Sequence, residues 1–290
     1  MKKIFMVGMA LTISVAMLLT SCKKEDVNNV NNNGNTENPG EGSGSGGDEG
    51  ELTPNQEYPS TAVVLPQAVT DIDGNSYDAV QIGNQVWMAE NLRTTKYADG
   101  TTIPMGSTNS ETEPYRYAPG PNQSNEENMD NVARYGYLYN WPAVMHGASS
   151  SAANPSGVQG ICPNGWHVPS DLEWKHLIEY MKTQPEYTAS GNVDHLAKAL
   201  AATWGWSSSS GTDVPGNDPS TNNATGFSAL PTGLYFSNGY GNFGESTDLW
   251  SATESGDYNA YVRHINYSGS RIIRYDSYKY YGFSVRCVRD

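Results

Sequence analysis

The chain has 290 residues, of which 37% are hydrophobic and 17% charged, both low for a polypeptide folded along its whole length. Thirty-one acidic against 17 basic residues give a formal net charge of −14, which argues against a nucleic-acid partner, because phosphate neutralisation needs a basic face. Tyrosine (19) and tryptophan (7) outnumber phenylalanine (5), and aromatics with a polar handle suit half-exposed surfaces.

Residues 1–21 read as a leader rather than as fold. Lys2-Lys3 is a short basic start, Ile4 to Leu19 is an apolar run, and Leu19-Thr20-Ser21-Cys22 ends it with small residues and a cysteine. The pattern resembles a bacterial lipobox, which makes Cys22 the expected acylated N-terminus of the mature chain and the membrane the expected partner through that anchor. The rival is a plain membrane anchor or ordinary signal peptide, for which the apolar run is short. Lys23-Lys24-Glu25-Asp26 follows and resembles the tracts that direct Bacteroidota lipoproteins to the cell surface; an ordinary solvated charge run is the alternative. The expected location is the outer membrane, exposed at the surface.

Residues 22–58 read as linker. Asn28 to Asn35 gives way to Gly42-Ser43-Gly44-Ser45-Gly46-Gly47 with acids interspersed, a composition with too little apolar area to offset chain entropy. The folded domain is expected over 59–290.

Val69 to Tyr77 reads as a strand ending at an Asp73-Gly74 turn. Asp78–Ile82 and Gln85–Met88 flank Gly83-Asn84, a pair that favours positive φ, so a hairpin is expected. Asp71-Ile72-Asp73-Gly74-Asn75 resembles the start of a calcium loop, but the Glu that an EF-hand needs at its twelfth position is Ile82, so a turn is the better reading. No metal or other cofactor is expected. Residues 106–133 read as an irregular insertion and Tyr135 to Trp141 as an aromatic strand.

The stretch from Gly160 to Trp174 contains Cys162, a Pro163-Asn164-Gly165 turn and a capping box in which Ser170 and Glu173 exchange hydrogen bonds at a helix start. Leu172, Trp174, Leu177, Ile178 and Met181 then fall largely on one helical face. A second, shorter helix is expected from Asn192 or Asp194 through Leu200. Several strands follow, and in the last of them Phe283, Val285 and Cys287 alternate with Ser284, Arg286 and Val288. With Cys22 acylated, Cys162 and Cys287 remain in an oxidising compartment and are expected to pair, closing a long loop. A reactive or metal-binding thiol is the rival, without a Cys-x-x-Cys or clustered histidines to support it.

No catalytic fingerprint appears. His167, next to the helix start, reads as a hydrogen-bonded structural residue, and Glu173 as a cap rather than an acid catalyst. Trp166, Trp174 and Trp250 read as core. Trp204 and Trp206 border a serine-rich loop and, with Tyr235 and Tyr240, are the candidate ligand-binding aromatics, since an exposed ring stacks on a sugar face; burial in the core is the rival.

Taken in order, Asp71 to Asn75, Gln81 to Leu92, Tyr137 to Trp141, Cys162 to Ser170, Gly226-Phe227-Ser228, Leu249 to Thr253 and Gly282 to Val288 resemble the Fibrobacter succinogenes major paralogous domain, from about residue 65 to 290. The resemblance implies a secreted or surface domain of unassigned activity. It further implies an α+β, C-type lectin-like fold: two helices, small mostly antiparallel sheets, long loops and chain ends brought close together. Calcium-dependent lectins carry Glu-Pro-Asn and Trp-Asn-Asp motifs. Here Glu113-Pro114 is followed by Tyr115, and Trp250 by Ser251-Ala252, so that mode is not expected. The expected function is non-catalytic adhesion or glycan binding. Assembly with other surface proteins is the second reading and a carbohydrate-active enzyme, which needs two carboxylates in one cleft, the third.

Overall fold

In a computed structural model, the structure describes residues 62–120, 129–237 and 239–290. The leader, Cys22 and the linker lie outside the described residues. In chain order the elements are β1 (Val63–Thr70), β2 (Ser76–Ile82), β3 (Gln85–Met88), β4 (Arg116–Tyr117), α1 (Met129–Tyr135), β5 (Leu138–Tyr139), α2 (Trp141–Met145), β6 (Trp166–His167), α3 (Asp171–Lys182), α4 (Ala197–Leu200), β7 (Leu234–Phe236), β8 (Gly239–Gly241), β9 (Ser246–Glu254), β10 (Asn259–Asn266), β11 (Ile273–Tyr278) and β12 (Val288–Arg289). The class is α+β. One five-stranded sheet has the order β1-β2-β3-β12-β6, a three-stranded sheet the order β11-β10-β9, and β4-β5 and β7-β8 form two-stranded pairs. Every named pair is antiparallel.

The first hairpin forms where Gly83-Asn84 placed it. Gly83 has φ +62, and a Cβ there would also meet the Tyr180 ring at 3.0 Å, so two constraints select glycine. Strands β2 and β3 of the five-stranded sheet are buried on both faces, and the period of two sorts their side chains. Tyr77, Ala79, Val86 and Met88 join one core with Trp250, Phe283 and the disulfide. Val80, Ile82 and Trp87 join another with Trp174, Leu177, Met181 and Phe227. There the Trp87 and Trp174 ring centroids lie 4.4 Å apart, with Phe227 edge-on to both.

The start of α3 matches its expectation. Ser170 is the N-cap, its hydroxyl accepting from the Glu173 N–H at 3.1 Å while the Glu173 carboxylate accepts from the Ser170 N–H at 2.8 Å. Trp174, Leu177 and Met181 are buried, while Leu172 and Ile178 are half-buried at the margin of that face.

Several expectations are corrected. The helices among the described residues number four, and the expected second one contracts to the single turn α4. Met129–Tyr135, assigned in part to irregular insertion, is helical, and Trp141 starts α2 rather than ending a strand. Asn140 causes that switch: its side chain caps Ala143 N, and Pro142 stands in the first turn, where its missing N–H costs nothing. Gly282 to Val288 is not a strand with one face inward. Its residues bridge Tyr235, Tyr139 and Leu249 before Val288 pairs with both Trp87 and His167. The segment therefore runs as a seam between the sheets, and Ser284 and Arg286 are as buried as Phe283 and Val285.

Cys162 and Cys287 form a disulfide with a Cα–Cα distance of 6.0 Å. It ties the turn before β6 to the end of the seam.

Candidate functional site

The candidate site is a cleft of about 380 Å³ built from five stretches, one of them β1, which supplies Val64. The β2–β3 hairpin and the chain after it supply Asp78, Glu90, Asn91 and Arg93. Helix α1 supplies Arg134, the loop after α4 supplies Thr203 and Trp204, and the loop before β7 supplies Asn223 and Ser228.

Trp204 stands at the cleft and is 44% exposed. Its indole is tilted against Tyr135 at 5.4 Å, and the Arg134 guanidinium lies 5.9 Å from the ring. The ring is thus held on one side and open on another, which is the arrangement a stacking surface requires. The polar lining is fixed by internal bonds. Glu90 accepts from the Asp78 N–H at 2.8 Å and from the Arg93 guanidinium at 3.2 Å. Asp78 accepts from the Gln67 N–H. Asn223 holds the Ser228 N–H and faces its hydroxyl.

Below this lining lies Arg286, which is fully buried. It donates to the Asn91 side-chain oxygen at 2.6 Å and to the carbonyls of Met88, Phe227 and Ser228. Its guanidinium also faces the Phe227 ring at 4.6 Å. Burial pulls its pKa down to about 9, so the group stays charged at neutral pH. One side chain thereby fixes the chain at Met88–Asn91 and at Phe227–Ser228, two of the stretches that line the cleft.

The four aromatics singled out in the sequence are not brought together at a surface. Only Trp204 is exposed. Trp206 packs into the core of Trp87 and Trp174, and Tyr235 stacks on Tyr117 at 3.8 Å with Tyr240 edge-on to it. All three are buried, so the multi-ring solvent-facing platform is corrected to a single tryptophan. Glu90 and Asn91 fall within the Gln81 to Leu92 stretch, but nothing in sequence spacing tied that stretch to Arg134 or Asn223.

The Asp71 turn is satisfied internally. The Asp71 carboxylate accepts from the Asp73 and Asn75 N–H groups, the Asn75 amide and the Tyr77 hydroxyl. Asp73 accepts from Thr94, Thr95 and Lys96. Among the described residues no group of three or more His, Cys, Asp or Glu side chains is placed to hold a metal ion.

His167 sits between two carboxylates, with Nε2 2.6 Å from Glu173 and Nδ1 2.7 Å from Asp290. A ring protonated at both nitrogens can donate to both partners at once, which a neutral ring with one N–H cannot. Burial opposes that charge, but the bonds to Glu173 and Asp290 outweigh it and raise the pKa above 6.5. A raised value in the fold means that this stabilisation is complete below pH 6.5 and fades as pH climbs through the folded value. His264, raised by Asp248 against the same burial penalty, acts in the same window. Thermal melts at a series of pH values should therefore show a midpoint that falls on the alkaline side. In His167→Gln that fall should be shallower and the melt at acidic pH lower; an unchanged slope would contradict the charged triad.

The family model described as the Fibrobacter succinogenes major domain matches residues 80–289. No curated protein and no solved structure matches the chain.

Proposed function

The chain belongs to the Fibrobacter succinogenes major domain family, and for this member we propose a non-catalytic surface lipoprotein that binds glycans through the Trp204 cleft. The observation that carries the reading is one exposed indole beside a cleft lined by fixed carboxylate, amide, hydroxyl and guanidinium groups. A pyranose presents an apolar C–H face and a rim of hydroxyls, and that lining offers a partner to each. The reading also takes the architecture as C-type lectin-like. Its support is that the first and last described strands, β1 and β12, share one sheet, and that the cleft is walled largely by loops.

Trp204→Ala should weaken glycan binding about tenfold or more, by loss of ~1.5 kcal/mol of stacking and buried area. Its melting temperature should stay close to the parent, because the indole is exposed. A glycan array followed by calorimetry on the best ligand measures both. Binding unchanged by the substitution, or no glycan bound above a domain-deleted control, would refute the assignment.

Asp78 and Glu90 in one cleft give the enzyme reading its one point of support. We favour binding because Glu90 is engaged by Arg93 and by the Asp78 N–H, leaving the carboxylate committed in place. Release of reducing ends from the best-bound glycan, abolished by Glu90→Gln, would favour hydrolysis instead.

The anchor is tested separately. Cys22→Ser should move the protein from the membrane fraction to the soluble fraction, and mass spectrometry of the parent should find an acylated Cys22 at the mature N-terminus. Protease accessibility on whole cells then distinguishes surface from periplasmic display.

A further inference from the structure

The two larger sheets present three long outer strands, and two of them are closed to further pairing. In β1 the run is interrupted by Pro66 and by Gln67 at φ +47, and the register shifts between Leu65 and Val69. The outer side of β9 is covered by bridges from Gly233 to Thr247 and from Ser284 to Leu249. Strand β11 has β10 on one side and, among the described residues, no strand or bridge on the other. It pairs with β10 in unbroken register from Ile273 to Tyr278 and contains neither proline nor bulge. Ile273 and Tyr278 at its two ends are exposed. Such an edge presents unpaired N–H and C=O groups, and proteins ordinarily blunt it.

Beside this strand lies a second groove, of about 350 Å³, between α3 and β11. Ile178, Leu196 and Ile273 give it apolar walls. Lys182, Arg271 and Arg274 line it with Asp194, and since Asp171 already holds Arg274 at 2.9 Å, Arg271 and Lys182 are the cations open to a further carboxylate. Lys182 meets Glu179 at 3.1 Å and Asp194 at 3.5 Å, and Arg271 meets Asp194 at 3.8 Å, all part-exposed pairs that another carboxylate can replace. A free strand edge gives main-chain pairing, and a helix alongside it gives pockets for alternate side chains.

We propose that the β11 edge and this groove bind an extended acidic peptide segment of a partner protein, which adds to the β11-β10-β9 sheet as a fourth strand. Main-chain hydrogen bonds to β11 supply pairing, apolar side chains of the segment meet Ile178 and Ile273, and its carboxylates meet Lys182 and Arg271. The site is distinct from the Trp204 cleft and shares no lining residue with it.

The test uses the purified full chain and a fluorescein-labelled peptide of alternating valine and aspartate. Controls are the same peptide N-methylated at alternate residues in both phases, a valine–lysine version, and polygalacturonate as competitor. The expected result is saturable binding of the acidic peptide, weakened roughly tenfold or more by N-methylation and by Arg271→Glu, and absent for the lysine version. Arg271→Glu should keep the parent melting temperature and glycan binding. The proposal is overturned by an acidic peptide that does not bind, or by binding indifferent to N-methylation or to Arg271→Glu. Polygalacturonate binding that Arg271→Glu abolishes, with N-methylation still immaterial, would identify a patch for acidic polysaccharide instead.

Discussion

Replacing Arg286 with methionine should lower the unfolding free energy by about 3–5 kcal/mol, among the largest effects of any single substitution in this domain. Methionine fills much of the space and removes the cost of burying a charge. On that ground alone the change could be neutral, because buried ions replaced together with their partners by apolar groups often are. Here the partners cannot be replaced. Three are backbone carbonyls, of Met88, Phe227 and Ser228, and the fourth is the Asn91 side-chain oxygen. Each would be left in a dry interior at about 1–3 kcal/mol, discounted for whatever the remaining structure can rearrange to satisfy. Arg286→Lys should also fall short, because one ammonium cannot reach four acceptors that a planar guanidinium spans. Urea denaturation of the parent and both variants measures the difference. A methionine variant within 1 kcal/mol of the parent, roughly the worth of one ordinary hydrogen bond, would show that the acceptors find other donors. Because Arg286 ties two cleft-lining stretches together, any glycan binding should weaken in the same variants even at temperatures where they remain folded.

The parts legible in the sequence are those set by neighbouring residues. Ser170 with Glu173 fixes a helix start, and Gly83-Asn84 fixes a hairpin, because each acts within a few residues of itself. The cysteine pair was legible for a different reason, since only two thiols remained once Cys22 was set aside. What could not be read was which tyrosines and tryptophans face water. Tyr235 and Trp204 have similar polar-aromatic chemistry and similar glycine- and serine-rich surroundings. One lies in the core only because Tyr117, from a distant strand, stacks on it. Alternation likewise misled at Gly282 to Val288, because a period of two assigns one face to water only when a single sheet covers the strand. This seam has partners on every side: Tyr139, Tyr235, Leu249 and Trp87. Charge was no better a guide to exposure, since Arg286 lies inside the core and Arg263 is buried against Asp171 at the start of α3. The cleft was the least visible feature, being assembled from five stretches that are separate in sequence.

Removing the disulfide should cost about as much as removing Arg286, but by acting on the other side of the equilibrium. The cysteines are 125 residues apart, and in the chain-entropy picture a loop of that size stabilises the fold by about 5 kcal/mol, by restricting the unfolded chain. Cys162→Ala with Cys287→Ala should therefore lower stability by ~3–5 kcal/mol while leaving local packing almost intact, since both sulfurs sit in a core of Val168, Ile161 and Val285 that alanine can share. The two mechanisms have different signatures. Loss of Arg286 disturbs the native state, so it should appear in the spectra of the folded protein and in the cleft. Loss of the disulfide frees the unfolded state, so it should raise the denaturant m-value with little change in native spectra. Reductant should reproduce the double variant in the parent and leave the double variant unaffected. If the m-value stays constant and the native spectra change instead, the bridge acts by holding the seam against the turn before β6, and its contribution is native-state packing. The two variants combined should add, within a few tenths of a kcal/mol, only if the seam has no shared strain between Arg286 and its neighbour Cys287. Their adjacency in sequence makes departure from additivity the expected outcome, and its sign reports whether the bridge helps to place the guanidinium beneath the cleft.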